Sequence, residues 1–155
     1  MKRLPYGITG FHYYLEPPPP ITDENTFIAL AHSFAQLIGA QLTLTHKIAS
    51  APDRNFTAIE FKTDNESFAT LMNGHYPLIA FSQPIQFDSL TIEFIDRPEF
   101  GKRWQELGEF QILTIDELAI PPHDVDASDI SDTEYDQILI HKPSTVGEII
   151  FNFWD

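Results

Sequence analysis

Residues 41–62, QLTLTHKIASAPDRNFTAIEFK, are the stretch on which the fold turns. Leu42, Leu44, His46 and Ile48 alternate with Thr43, Thr45 and Lys47, and Ile59 and Phe61 alternate with Glu60 and Lys62. A period of two sends successive side chains to opposite faces, the pattern of a half-buried strand. The polar run SAPDRN at residues 50–55 separates the two alternations, so the spacing predicts an antiparallel hairpin with a longish loop. Such a hairpin needs an apolar cover, and the segment before it supplies one. Phe27, Leu30, Ala31, Phe34, Leu37 and Ile38 recur at helical spacing, with Thr22 or Asp23 as cap and Gly39 as stop.

Outward from this unit the elements shorten. Residues 6–15, YGITGFHYYL, are rich in aromatic and β-branched residues and predict a strand, ended by a stiff spacer of four prolines at 17–20. Asp64 or Asn65 caps a predicted short helix containing Phe68, Leu71 and Met72 and closed by Gly74. Residues 77–82 and 90–95 predict strands flanking the loop SQPIQFDS. Pro98 opens a helix in which Phe100, Trp104 and Leu107 share a face, directing Trp104 to the core. Residues 110–114 predict a short strand. Tyr135, Ile138, Leu139 and Ile140 give residues 134–141 a strand pattern. Finally Thr145 and Glu148 have capping-box spacing, with Val146, Ile149, Ile150 and Phe153 on one helical face and Phe151 and Trp154 on another. A helix apolar nearly all round is deeply buried or completed by a partner. The sum is an α+β class chain, one domain over residues 1–155, mainly antiparallel sheet with about four helices.

Charge is distributed unevenly. The net charge is -14; residues 1–103 carry eleven acids against eight bases, and residues 104–155 twelve acids against Lys142 alone. Eight of these acids fall in residues 116–136, DELAIPPHDVDASDISDTEYD, which hold no Lys or Arg and lie between apolar segments. The segment is expected to be an acidic surface loop tethered at both ends. Its field repels nucleic acid and anionic membrane and attracts basic partners. Solubility alone is the competing account of an acidic surface. With no cysteine there is no disulfide framework and no thiolate ligand or nucleophile. Pro5, His12 and the proline run interrupt any secretory h-region, and no stretch approaches the roughly 18 apolar residues of a spanning helix, so the expected location is the cytoplasm.

The chemistry that could be written on this chain is limited. Asp124, Asp126, Asp129 and Asp132 invite a calcium loop, but counting from Asp124 puts Asp129 where the turn glycine belongs and Tyr135 where the bidentate acid belongs. His12, His32, His46, His75, His123 and His141 show no metal-ligand spacing. His123 within the strap and His141 just after it, with nearby carboxylates, are the residues a small enzyme would use; exposed acids in a loop lack the burial that separates acid and base pKa values. No nucleophile elbow, phosphate loop or dinucleotide fingerprint is present, and Lys102 and Arg103 beside Trp104 are too few for a nucleic-acid groove. No catalytic, cofactor or metal residues are assigned, and a binding protein is favoured over an enzyme.

The closing PSTVGEIIFNFWD, preceded by the acidic strap and the W-x-x-L helix at Trp104, resembles the C-terminal pattern of small acidic bacterial immunity proteins encoded beside contact-dependent or polymorphic toxins. The resemblance rests on residues 143–155; the remainder shares size, charge and α+β character. It implies a cytoplasmic inhibitor that binds a cognate toxin domain at its active site or a neighbouring exosite. The composition fits such a role, because a nuclease presents cations to phosphates and an anionic protein surface can occupy that site. The expected contact residues are Asp124, Asp126, Asp129, Asp132, Glu134, Tyr135 and Asp136. Tyr135 and Trp154 are the candidate aromatic anchors if exposed, with core packing as the competing account for both, the stronger one for Trp154. An oligomeric adaptor whose last helix buries itself against a second copy is the remaining alternative.

Overall fold

Three strands, β2 (Phe56–Lys62), β3 (Ser67–Asn73) and β4 (Leu78–Ser82), pair antiparallel in sequence order and form the centre of the molecule. The computed structural model describes residues 1–48 and 53–154. Strand β1 (Gln41–His46) pairs antiparallel with β2, as the alternation predicts, with an irregularity between Leu42 and Leu44. Half of the polar run proposed to join them, residues 50–52, lies outside the described residues. On the far edge, β4 carries two short neighbours end to end: β5 (Phe94–Ile95) runs antiparallel against Phe81 and Ser82, and β6 (Gln111–Ile112) runs parallel against Leu78 and Ile79. The strands expected at 90–95 and 110–114 are thus reduced to two residues each.

Both faces of the sheet are covered. Ile59, Phe61, Phe68, Met72, Ile79 and Phe81 face helices α1 (Glu24–Ile38) and α2 (Pro98–Leu107). Asp23 starts α1 by accepting from the Thr26 N–H, and Gly39 ends it at a left-handed φ of 69°. Trp104 is fully buried between Phe27 and Phe34, each ring 5.1 Å from it, as its helical spacing anticipated. The opposite face, Phe56, Ala58, Ala69, Leu71, Leu78 and Ala80, packs on Leu4, Ile8, α3 (Ile115–Leu118) and α5 (Val146–Ile150). The result is a single three-layer α+β unit with five α-helices among the described residues.

Three expected elements differ, each for a physical reason. Residues 67–73 form a strand, not a helix. Because both faces of β3 are buried, FATLM is an apolar run broken only by Thr70, and its spacing also satisfies a helix. Residues 6–15 form turns, not a strand, with Gly7 at φ 83° and Gly10 at φ 87°. A Cβ at Gly7 would lie 2.2 Å from Pro19 Cβ, so the chain can double back over the prolines only at glycine. Residues 132–141 form helix α4 (Asp132–His141), not a strand. The final helix stops at Ile150, five residues long, and Phe153 and Trp154 lie beyond it. Its cap at Thr145 accepts from the Glu148 N–H as the motif predicts, while Glu148 itself accepts from the Ser144 N–H.

Three buried asparagines tie the chain ends to the sheet. The Asn55 and Asn73 amides donate to the Ile8 and Ile150 carbonyls at 2.7–3.1 Å, and Asn152 donates to the Thr9 and Ile149 carbonyls. The loop after Gly7 and the segment after α5 present irregular backbone to the interior, and these amides satisfy carbonyls that no sheet or helix reaches.

Candidate protein-interaction surface

Helix α4 begins where Ser131, in extended conformation, accepts from the Glu134 N–H, while Glu134 Oε1 accepts from the Ser131 N–H at 3.2 Å. This is the S-x-x-E capping box, and residues 131–134 spell it in the sequence. Glu134 has a second task. Its Oε1 accepts from the Gly7 N–H at 2.7 Å and its Oε2 accepts from the Thr9 N–H at 3.0 Å and the Thr9 hydroxyl at 2.7 Å. It is fully buried and is the one buried residue of the helix. Expected to present charge outward, Glu134 instead pins α4 to the N-terminal turns. A carboxylate taken out of water needs every lone pair met by a donor, and four donors meet these.

With Glu134 inward, the outward stripe of α4 is set by helical geometry. Asp132, Tyr135, Asp136, Leu139 and Ile140 are all exposed, at i, i+3, i+4, i+7 and i+8. Tyr135, Leu139 and Ile140 are 51%, 56% and 66% exposed, so two carboxylates and three large apolar side chains share one solvent face. Beside the first turn of α4 lies a bend at residues 13–16. The Glu16 carboxyl there is held below its usual range by the Tyr13 N–H and then by the Thr133 hydroxyl.

The rest of the strap is more structured than a loop. Thr114 caps α3 with its own T-x-x-E box to Glu117, and residues 122–124 make a single 3-10 turn. Asp126 then pairs with the N-terminus: its N–H donates to the Lys2 carbonyl, and its carbonyl accepts from the Leu4 N–H at 2.9 Å. The Arg3 guanidinium lies 3.0 Å from the Asp126 carboxylate and 3.4 Å from that of Asp129. The Ser128 hydroxyl and N–H, followed by Arg3, hold the Asp126 carboxyl below its ordinary range. Asp126 and Asp129 are therefore exposed but partly neutralised within the chain. Asp124 is exposed beside His123, at 3.4 Å.

The two histidines do not converge. His123 stands at the strap with its side chain 81% exposed, whereas His141 stacks flat on Trp154, ring centroids 4.8 Å apart, and meets Gln137 at 3.2 Å. Trp154 is half-buried by this stacking, so of the two proposed aromatic anchors Tyr135 is the exposed one. Asp155, the last residue of the C-terminal motif, lies outside the described residues. Among the described residues no three His, Asp or Glu side chains converge as a metal site, and no helix is long and apolar enough to cross a membrane. No family model, curated protein or solved structure matches the chain.

Proposed function

We propose that this chain is an acidic binding protein of the immunity type, acting in the cytoplasm to neutralise a toxin domain by covering its basic surface. The observation that carries the reading is the outward stripe of α4, where Asp132 and Asp136 alternate with Tyr135, Leu139 and Ile140. Large apolar residues grouped on an exposed helix face are unlike a surface tuned for solubility alone, and aromatic residues among acids suit a partner that is basic and partly apolar. The surrounding field is strongly negative, since residues 104–155 hold Lys142 as their sole Lys or Arg. Such a field accelerates encounter with a cationic partner, and the apolar residues then supply the dry centre that slows dissociation.

The test is a binding experiment with the toxin domain encoded next to this chain. Association is expected to be fast at low salt and to slow as salt rises, and the complex is expected to abolish the domain's activity. A complex indifferent to salt excludes the electrostatic mechanism, and absence of any complex excludes the immunity role.

A further inference from the structure

Between α4 and the acidic strap the surface opens into a cavity of about 270 Å³. Its deepest walls are the fully buried Leu4 and Ile149, its sides are Ala127 and Ile138, and Tyr135 and Leu139 stand at the mouth. All of these are carbon-rich, in the most acidic part of the molecule. An enclosed apolar cavity of about 150 Å³ accepts a benzene ring, so this open one accommodates a single branched or aromatic side chain.

The acids are placed around it. Asp124 follows His123 on the rim, Asp126 precedes Ala127, and Asp132 and Asp136 each lie one helical turn before Tyr135 and Leu139. Arg3 is spent on Asp126 and Asp129, so Asp124, Asp132 and Asp136 have no Lys or Arg partner among the described residues. A second copy of this chain would bring its own acids against these and be repelled. An apolar peptide without charge would fill the socket and leave the surrounding field unused.

We infer that this socket takes one large apolar side chain of the partner, flanked in the partner by lysine or arginine. The inference rests on the reading of the chain as a binder of basic proteins and adds the form of its recognition: a hydrophobic knob within a cationic ring. A buried anchor in a preformed pocket with a polar surround is the usual arrangement of an interface hot spot.

The probes are four capped pentapeptides, Lys-Arg-X-Arg-Lys, with X as Leu, Phe, Ala or Asp, titrated into the full chain at low salt and followed by amide chemical shifts. Leu and Phe peptides are expected to bind about 10-fold or more tightly than the Ala peptide, from the added apolar area buried. The shifts are expected at Ala127, Tyr135 and Leu139. Ala127→Phe, which fills the socket, should abolish the preference for the Leu and Phe peptides over the Ala peptide. Leu139→Gln, at an exposed position that does not threaten folding, should weaken the preference. Equal, salt-sensitive binding of the Leu and Ala peptides overturns the socket and leaves the basic-partner reading standing. Binding by none of the four overturns both. Shifts on another face, or a dimer by sedimentation that Ala127→Phe dissociates, overturn the inference by assigning the socket no ligand or a second copy.

Discussion

Helices α1 and α4 are held to the same molecule by opposite means. Helix α1 buries Phe27, Ala31, Phe34 and Ala35 against the sheet, a stripe of carbon that needs no partner beyond other carbon. Helix α4 buries a single side chain, the Glu134 carboxylate, and leaves its large apolar residues half-buried or exposed. Burial of a stripe is non-directional and tolerates small shifts, whereas a carboxylate meeting four donors fixes one position and orientation. A helix docked by such a point is free to keep an apolar face outward. The first arrangement makes a core and the second makes a displayed surface.

The contrast can be broken at either end. Phe34→Ala removes a ring in contact with Phe61, Phe68, Phe100 and Trp104, and should lower unfolding free energy by about 3–5 kcal/mol in chemical denaturation. Next in size, Glu134→Ala leaves the Gly7 and Thr9 N–H groups without an acceptor and removes half of a capping box; a loss of about 2–4 kcal/mol is expected. Glu134→Gln, which retains one carbonyl oxygen, should cost less. If Glu134→Ala is harmless, the claim that a carboxylate docks α4 is wrong.

Acid should act on the surface carboxyls before it reaches the aromatic layer. Asp23 and Asp126, ordinarily near 3.8, and Glu16 and Glu99, ordinarily near 4.5, are all held lower in the folded chain by hydrogen bonds. A depressed folded-state pKa contributes stability above the unfolded value, and that contribution is lost as pH falls through the folded value. Stability should therefore be level near neutrality and decline below about pH 4.5, as thermal melts across pH would show. The smallest expected effect on folding is that of Asp132→Asn with Asp136→Asn. Their melting midpoint should stay with the parent while association with a basic partner slows several-fold at low salt and converges with the parent at high salt. A midpoint that moves while association does not would place these acids in the fold and not in recognition.

The same contrast explains what the sequence could and could not disclose. The stripe of α1 and the i, i+4, i+7 spacing around Trp104 are legible because each helix has one apolar and one polar side, and β1 and β2 are legible because Thr43, Thr45, Glu60 and Lys62 interrupt their apolar residues at alternate positions, although both faces of β2 are buried. Strand β3 lacks a polar side, and its run FATLM fits two periods equally. Helix α4 is harder still, since the residue it buries is an acid and its apolar residues include the consecutive Ile138, Leu139 and Ile140, which mimic a strand. The signal that resolves it, Ser131 three residues before Glu134, is a capping pattern and not a hydrophobic one. For the candidate surface, exposure of Asp124, Asp126, Asp129, Asp132 and Asp136 follows from composition, whereas that of Tyr135 does not. The inward turn of Glu134 and the cis pairing of Arg3 with Asp126 and Asp129 depend on contacts more than a hundred residues apart, which no local pattern encodes.

Those long-range contacts also order events in time. Gly7 and Thr9 are separated from Glu134 by 127 and 125 positions, and Asn55 and Asn73 reach forward to the carbonyl of Ile150. During synthesis the β1–β4 meander and α1 can close among neighbours as they emerge, and Asn55 and Asn73 can already hold the Ile8 carbonyl, but the Gly7 and Thr9 N–H groups have no carboxylate to meet until Glu134 is out. Helix α4 and the N–H groups it grips can therefore join only late in synthesis. The outward stripe of α4 reaches its docked position only after Glu134 has been made.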